Sequence, residues 1–160
     1  MIVVADASPI CYLLLIGHAE LLQKLFGQVV IPQAVRDELN AEGAPAIVRT
    51  WIAHPPPWLQ IQSVVTAPDA SLDRLHLGER EAIALAEQLE VDLIVLDEKA
   101  VRRIAVERML NTTGLLGILD EAATRRLIDL PTAIEQLRRT TFRASPRLLK
   151  ALLDRHLGTA

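Results

Sequence analysis

The sequence predicts an α/β fold in which a parallel β-sheet carries helices on both faces. Two short apolar runs, at residues 2–4 and 93–96, are rich in branched side chains and are typical of strands buried in a parallel sheet. Helical patterns separate the strand signals, and this alternation implies right-handed crossovers that place helices on both sides of the sheet. A chain of 160 residues that is 51% apolar is long enough to bury a large core.

Helix and strand signals alternate through the first half of the chain. Gly17 and Gly27 follow the first two helical patterns, where a glycine commonly ends a helix. Pro32 suits the first position of the third helix, and the prolines at 55–57 stop the fourth. The predicted elements are a strand at 2–4, helices at 9–16 and 18–26, a strand at 28–31, helices at 32–40 and 44–53, and an edge strand at 59–65.

A predicted loop at 67–77 leads into the second half, which repeats the alternation and ends in helices. The predicted elements are a helix at 77–89, a strand at 92–96, a helix at 99–109, a short strand at 111–113, and helices at 115–127, 131–139 and 146–157. We expect one domain over residues 1–160, with its core in about 1–127 and two added helices at about 131–157.

Charge is divided unevenly along the chain, although the net charge is only −3. Residues 1–98 carry 5 Lys and Arg against 14 Asp and Glu, whereas residues 99–160 carry 12 against 6. These charges either cover solvated helix faces or form an acidic site beside a basic surface that contacts phosphates. Aromatic residues are only 3% of the chain, which argues against an aromatic platform for base stacking. The candidate phosphate-contacting residues are Arg102, Arg103, Arg138, Arg139 and Arg143.

Several classes of protein are disfavoured by composition. No apolar run approaches the length of a membrane span, and the start of the chain lacks the basic and apolar regions of a signal peptide, so we expect a cytoplasmic protein. The single cysteine, Cys11, is expected to be a buried small hydrophobe. The four histidines are scattered, which leaves no spacing typical of a zinc site.

Two predicted strands are followed directly by acidic residues. Asp6 follows the first strand, and Asp97 and Glu98 follow the strand at 92–96. Because ligands bind at the carboxyl edge of such sheets, these side chains are candidates for a functional site. For Asp6 the alternative is a turn or capping role. Ser8 is a candidate cap for the next helix, as Glu98 is for the helix at 99–109.

Two further acids lie on predicted helices that begin at the same edge. Glu38 shares a helix face with Val35 and Leu39, although a partly exposed position at the helix edge is equally consistent with the spacing. Glu79 heads an apolar stripe, and an acid in the first turn also suits the helix dipole. Glu81 is expected to be solvated.

Carboxylates from four distant segments would repel one another at one edge unless a cation balanced them. An all-oxygen donor set favours Mg²⁺ or Mn²⁺ over zinc, and such an ion supports hydrolysis of a phosphodiester. Asp6 and Asp97 are the candidate direct ligands, Glu79 ligates directly or through water, and Glu98 competes with Asp97. Glu38 is the candidate group that orients or deprotonates the attacking water, with Ser8 hydrogen-bonded to a ligand carboxylate or to water.

The order of these motifs resembles the PIN-domain family, and within it the prokaryotic branch of VapC-type toxins. The similarity rests on the segments at 6–10, 31–39, 78–86 and 96–105, and it extends from residue 2 to about 127. It implies a three-layer α/β/α sandwich with a parallel sheet of four to five strands in the order 3-2-1-4-5. Relatives often carry two Asp, or a Thr-x-Asp pattern, where this chain has Asp97-Glu98.

The resemblance also implies a function. Members have an acidic Mg²⁺ or Mn²⁺ site and cleave single-stranded RNA, and toxin members form homodimers that a small antitoxin inhibits. We therefore expect a metal-dependent endoribonuclease, with a catalytically idle PIN-like interaction module as the alternative. A haloacid-dehalogenase-type site would need a second Asp beside Asp6, and none is present there.

Overall fold

Five parallel strands form one sheet in the order β3-β2-β1-β4-β5, which confirms the predicted order. The structure is a computed structural model that describes residues 1–65, 67 and 69–157. Every connection between neighbouring strands is a crossover, as a parallel sheet requires. The strands are β1 (Val3–Ala5), β2 (Val29–Pro32), β3 (Leu59–Gln62), β4 (Leu93–Val95) and β5 (Thr112–Thr113).

Helices pack on both faces of the sheet, so the predicted three-layer α/β/α arrangement is confirmed. Along β1, Val3 and Ala5 point into one apolar core and Val4 points into the other. The first core takes side chains from α1, α2, α3, α4, α7, α8 and α9, and the second takes them from α5 and α6. The helices are α1 (Ala7–Leu15), α2 (Leu21–Phe26), α3 (Gln33–Leu39), α4 (Ala46–Ala53), α5 (Leu77–Gln88), α6 (Lys99–Glu107), α7 (Leu115–Thr124), α8 (Leu130–Arg138) and α9 (Pro146–Arg155).

The register between β1 and β4 determines where the two strand-end acids emerge. Ala5 pairs with Val95, and the backbone N–H of Asp6 donates to the carbonyl of Val95 at 3.0 Å. One residue separates Val95 from Asp97. The two carboxylates therefore leave neighbouring strands at the same edge of the sheet.

The start of α1 differs from its prediction in a way that matters for the site. The helix begins at Ala7, and its N-cap is Asp6, whose Oδ1 accepts the N–H of Ala7 at 2.8 Å. The prediction that Ser8 caps this helix is therefore wrong, because Ser8 already lies in the first turn, where its side chain is exposed. Similarly, Pro32 ends β2, and α3 begins at Gln33.

Other element boundaries shift by a few residues. The first strand is displaced by one residue, and β3 ends at Gln62 because its partner β2 ends at Pro32, the residue in register with Gln62. The predicted loop at 67–77 contains a short 3-10 helix, Ala70–Leu72, whose N-cap is Asp69. Position 68 of that loop lies outside the described residues. Most helices end one to three residues earlier than predicted.

The last two helices pack against the first core and bring the segment between them to α1. Leu137 and Leu149 are buried in the same cluster as Val3. Between α8 and α9, the ring of Phe142 meets that of Tyr12 edge to face, with 5.2 Å between centroids. Within the described residues, no helix has both the length and the apolar character that crossing a membrane requires.

Candidate functional site

Asp6 is a buried carboxylate whose negative charge is offset by few hydrogen-bond donors. Only 7% of the residue is exposed, and the bond from the N–H of Ala7 is the one hydrogen bond to its side chain seen among the described residues. The pKa of Asp6 is raised to about 7, chiefly by burial; the N–H of Ala7 lowers it, and the negative charges of Glu38, Glu79 and Asp97 add to the rise. Asp6 is therefore electrostatically unfavourable in its ionised form.

Asp97 lies at the same edge but is only half buried, and more groups offset its negative charge. Its Oδ1 accepts the N–H of Leu115 at 2.7 Å, and the Ser8 hydroxyl lies 3.5 Å from its Oδ2, at the limit for a hydrogen bond. Burial raises the pKa of Asp97, whereas the N–H of Leu115, the Arg102 guanidinium and the Ser8 hydroxyl lower it. A methyl group at Gly114 would lie 3.1 Å from Asp97 Oδ1, so glycine leaves room for this carboxylate.

Glu79 occupies the first turn of α5 and is 8% exposed. Its Oε1 accepts the N–H of His76 at 3.1 Å, and the imidazole Nδ1 of His76 lies 3.9 Å from the same oxygen. Burial raises the pKa of Glu79; the N–H of His76 lowers it, and a hydrogen bond with Glu98 raises it. Glu98 is exposed and is the N-cap residue of α6, but its side chain makes no capping bond. Glu79 and Glu98 thus form a hydrogen bond that requires a proton on one of the two carboxyl groups.

Glu38 is exposed, whereas Val35 and Leu39 on the same helix are buried. The expectation that Glu38 points inward with them is therefore wrong, and the alternative of a position at the helix edge is correct. Its carboxylate accepts the N–H of Gly78, and a methyl group at Gly78 would overlap its Oε1. Burial of the carboxylate raises the pKa of Glu38, while His76 and that N–H lower it. The first turn of α5 therefore contacts both helix-borne acids of the set.

The acidic residues predicted at this edge do come within electrostatic reach of one another. Glu38, Glu79 and Asp97 all act on Asp6, and Glu98 acts on Glu79. Among the described residues, however, no three acidic, histidine or cysteine side chains stand ready to hold a metal ion together. The donors are all carboxylate oxygens, and the pKa values of Asp6, Glu38, Glu79 and Asp97 are raised. A hard divalent cation would favour the ionised form of such carboxylates. The residues therefore fit such a cation chemically, provided that their side chains rotate toward a common point.

The five candidate phosphate-contacting arginines do not share one environment. Arg102 is half buried and lies beside Asp97, with its Nη1 3.3 Å from where a methyl at Gly114 would sit. Arg138 is exposed and pairs with Glu135 at 3.4 Å. The remaining three are exposed, and no ion pair is seen for them within the described parts of the chain: Arg103, Arg139 and Arg143.

Sequence reasoning missed three residues at this edge. His76 contacts Glu79, and Gly78 receives Glu38; a glycine at the start of a strong helix was the available signal for close approach. Glu81 was expected to be solvated, but its Oε1 accepts the N–H of Ala34 at 3.1 Å, so that expectation is wrong. Glu81 satisfies one of the free backbone donors at the start of α3.

A groove of about 370 Å³ adjoins the acids. Ser8 and Glu38 line it, together with the side chain of Cys11, which is half exposed and not buried as expected. The cysteine differs from its prediction because the helix face that carries it borders this groove as well as the first core. The other lining residues are Ala7, Tyr12, Leu15, Leu39, Ala44, Pro45, Val48 and Thr141.

Comparisons with known proteins agree with this architecture. Residues 2–157 match the model of the DUF3368 family, described as a PIN domain. Among solved structures, the chain is similar to a PilT N-terminus domain protein, SSO1118, from the hyperthermophilic archaeon Sulfolobus solfataricus P2. The TM-score is 0.53 and the identity 16%, over 90% of this chain and 100% of that one. A search of curated proteins gave no match.

Proposed function

Because the chain belongs to the PIN-domain family, whose fold is generally that of a nuclease, we propose that it is an endoribonuclease dependent on Mg²⁺ or Mn²⁺. Its substrate would be single-stranded RNA, hydrolysed at internal phosphodiester bonds. One observation carries the proposal: acids from three other segments act on the buried Asp6, whose pKa is raised to about 7. A divalent cation is the natural counterion for such a set.

Each residue has a proposed role. Asp6, Glu79 and Asp97 would hold the cation, with Glu98 as an alternative donor to Asp97. When bound, the cation would neutralise phosphate charge and make water a stronger nucleophile at neutral pH. Glu38 would orient the attacking water and take its proton, a role suited to an exposed carboxylate whose pKa is raised. Ser8 would keep Asp97 in place through its hydroxyl.

The substrate's phosphates need positive charge beyond the cation. Arg102 lies next to Asp97 and is the best placed of the five arginines to contact a phosphate near the cut. The RNA backbone away from the cut would be contacted by Arg103, Arg138, Arg139 and Arg143. If so, neutralising them would weaken RNA binding and reduce its dependence on salt concentration. Unchanged affinity and salt dependence would remove these arginines from the proposal.

The proposal extends to partners and cellular role. A VapC-like toxin would form a homodimer in the cytoplasm and be inhibited by a small antitoxin protein. The exposed apolar side chains include Leu148 and Val106, which leaves apolar surface for such contacts. A short reading frame that overlaps the gene upstream would support the toxin assignment.

The test is cleavage of single-stranded RNA by the purified chain with Mn²⁺ or Mg²⁺. We expect EDTA to abolish cleavage, and Asp6→Asn to reduce its rate by about 10³-fold, the effect of losing several kcal/mol of charge stabilisation. The asparagine keeps an acceptor for the N–H of Ala7, so the fold should persist. Cleavage that survives both EDTA and Asp6→Asn would contradict the proposal, because neither the cation nor the buried acid would then be needed.

The second candidate function is a PIN-like interaction module without catalysis. One observation favours it: within the described chain, no three potential ligand side chains are arranged to share a metal ion. Thermal unfolding with millimolar Mn²⁺ separates the two functions, because an ion that binds only the folded state raises its stability. A melting temperature unaffected by Mn²⁺ would favour the module.

A further inference from the structure

The groove beside the acids has a mixed lining that suits a particular kind of ligand. Leu15, Ala44 and Pro45 supply accessible apolar surface, while Ser8, Tyr12 and Thr141 bring hydroxyl groups to it. A nucleobase has apolar faces and an edge of hydrogen-bond donors and acceptors, so it matches such a lining. The groove's volume of about 370 Å³ lies in the range of small-ligand pockets, roughly 300 to 1,000 Å³.

The groove lies beside the acids that would hydrolyse the phosphodiester bond. Glu38 belongs both to its lining and to the acid set, and Ser8 lines it while its hydroxyl lies 3.5 Å from Asp97, so the groove and the candidate catalytic edge are continuous. A base held in the groove would therefore place its own phosphate at the acids. A protein segment bound there would gain no comparable advantage from this continuity, because it has no phosphate to deliver.

We propose that this groove is a base-binding subsite for one of the two nucleotides that flank the cut. The inference rests on the proposed function and deepens it, since it assigns a cause for sequence preference. One nucleotide would enter from the side of Ser8, with its base against α1 and α4. The low aromatic content is no obstacle, because an apolar groove with hydroxyl groups binds a base without an aromatic platform.

The segment between α8 and α9 is part of this subsite. Thr141 lines the groove, and its hydroxyl lies 2.9 Å from that of Tyr12 on α1, a hydrogen bond spanning 129 residues of sequence. Phe142 packs edge to face against the same tyrosine. Base selection would thus depend on residues outside the sheet and its immediate helices, and the last two helices would have a role in the substrate site.

Cys11 offers a direct probe because it is the chain's single cysteine and lines the groove. The rate of its alkylation by iodoacetamide would be followed by mass spectrometry, with each of the four ribonucleoside 5′-monophosphates and Mg²⁺ present. Burial raises the pKa of the Cys11 thiol, so the reaction is run near pH 8.5, about the ordinary pKa of a thiol. These nucleotides have no phosphodiester bond, so a phosphodiesterase does not consume them during the measurement.

We expect at least one nucleotide to slow alkylation about tenfold at ten times its Kd, since only about a tenth of the protein then has a free groove. Ribose 5-phosphate with Mg²⁺ is the control that lacks a base, and it should give no protection. Equal protection by ribose 5-phosphate would mean that phosphate binding alone hides Cys11. That result, or no protection by any nucleotide, would overturn the subsite.

A pair of variants tests the subsite during cleavage. Ala44→Phe adds a bulky side chain at a half-buried lining position, whereas Ala46→Phe adds the same group at an exposed position two residues away that does not line the groove. Sequencing the ends of cut RNA gives the base preference at each flanking position. We expect Ala44→Phe to reduce the preference about tenfold, the effect of losing one good base contact, and Ala46→Phe to leave it unchanged.

The outcomes separate this inference from the proposed function. Metal-dependent cleavage with the same base preference in both variants would overturn the subsite and leave the nuclease in place. The groove would then be assigned to another ligand, such as a segment of an inhibitory protein. If the chain cuts no RNA, the nuclease fails, and nucleotide protection of Cys11 still decides whether the groove binds a base.

Discussion

The two junctions at which a central strand passes into a helix carry the same sequence pattern but hold their acids differently. After β1, Asp6 is 7% exposed and its side chain receives one backbone N–H. After β4, Asp97 is half buried, receives the N–H of Leu115, and lies close to Ser8 and Arg102. A short apolar strand followed by an acid therefore specifies the position of a carboxylate but not its environment.

Because of this difference, the free-energy cost of ionisation is higher for Asp6 than for Asp97. The ionised form of Asp6 is disfavoured by burial and by the other three acids, with a single hydrogen bond to offset them. Asp97 has a nearby cation in Arg102, which favours its ionised form. A bound divalent cation would thus remove the largest electrostatic cost at Asp6. We expect that residue to dominate the dependence of protein stability on pH and on metal.

The largest expected effect is on the pH dependence of stability. In the unfolded chain the pKa of Asp6 returns to its ordinary value, 3.8, whereas in the folded protein it is about 7. Between these values the folded state holds a proton that the unfolded state has lost, so stability falls as pH rises from about 4 through 7. Above pH 7 the full cost of ionised Asp6 is present, on the order of 4 kcal/mol.

Asp6→Asn should remove this cost while keeping an acceptor for the N–H of Ala7. In urea unfolding with EDTA, we expect the variant to gain stability over wild type at pH 8 and to match it near pH 4. Asp97→Asn is the matched comparison and should show a smaller gain, because Leu115 and Arg102 already offset that charge. Equal gains in the two variants would erase the proposed distinction between the junctions.

The next effect concerns the contact between α3 and the start of α5. Gly78→Ala places a methyl group where Glu38 Oε1 now lies, so the flexible carboxylate must move away from the acid set. Alanine favours helix, but the N–H of residue 78 loses Glu38 as its acceptor, so the free energy of unfolding should change by no more than about 1 kcal/mol in either direction. Cleavage should nevertheless fall about 10²-fold, the effect of losing one acid-base group.

The matched control for that variant is Gly43→Ala, in the turn after α3, where a methyl group would meet no atom within 4 Å. Its cleavage rate should equal that of the wild type. Full activity in Gly78→Ala would remove Glu38 from the proposed mechanism. Loss of activity together with a loss of stability well above about 1 kcal/mol would instead indicate general damage at the start of α5.

The smallest predicted effect concerns an acid that stabilises the fold without belonging to the candidate set. Glu81 accepts the N–H of Ala34 at the start of α3, and Glu81→Ala leaves that donor without its partner. We expect a loss of about 1 kcal/mol in the free energy of unfolding, comparable to the loss of a helix cap. The control is Glu90→Ala, at an exposed position just beyond α5; Glu87→Ala, within the helix, is unsuitable because Glu87 pairs with Arg108.

Sequence reasoning located the strands and the acids at their ends because both depend on local patterns. The apolar run before Asp6 predicts a strand end wherever the strand lies in the sheet, and Glu79 follows from the apolar stripe of its own helix. The family resemblance supplied the order of the strands. These features required no knowledge of which residues meet across the fold.

The missed features all arise from contacts between distant segments. Glu81 caps a helix 47 residues away, and Tyr12 bonds Thr141 across 129 residues. Exposure of Cys11 depends on α4 and the segment after α8 leaving a groove beside α1. Periodicity within one helix places a residue on a face, but it does not tell what that face meets.

The central claim is that the acid set around Asp6 is a binding site for a divalent cation. The direct measurement is thermal unfolding at pH 8 with increasing Mn²⁺, for wild type and Asp6→Asn. At a Mn²⁺ concentration 100 times the Kd, wild type should gain about 2.7 kcal/mol of stability, and Asp6→Asn should gain almost none. The same gain in both proteins, or none in wild type, would contradict the account.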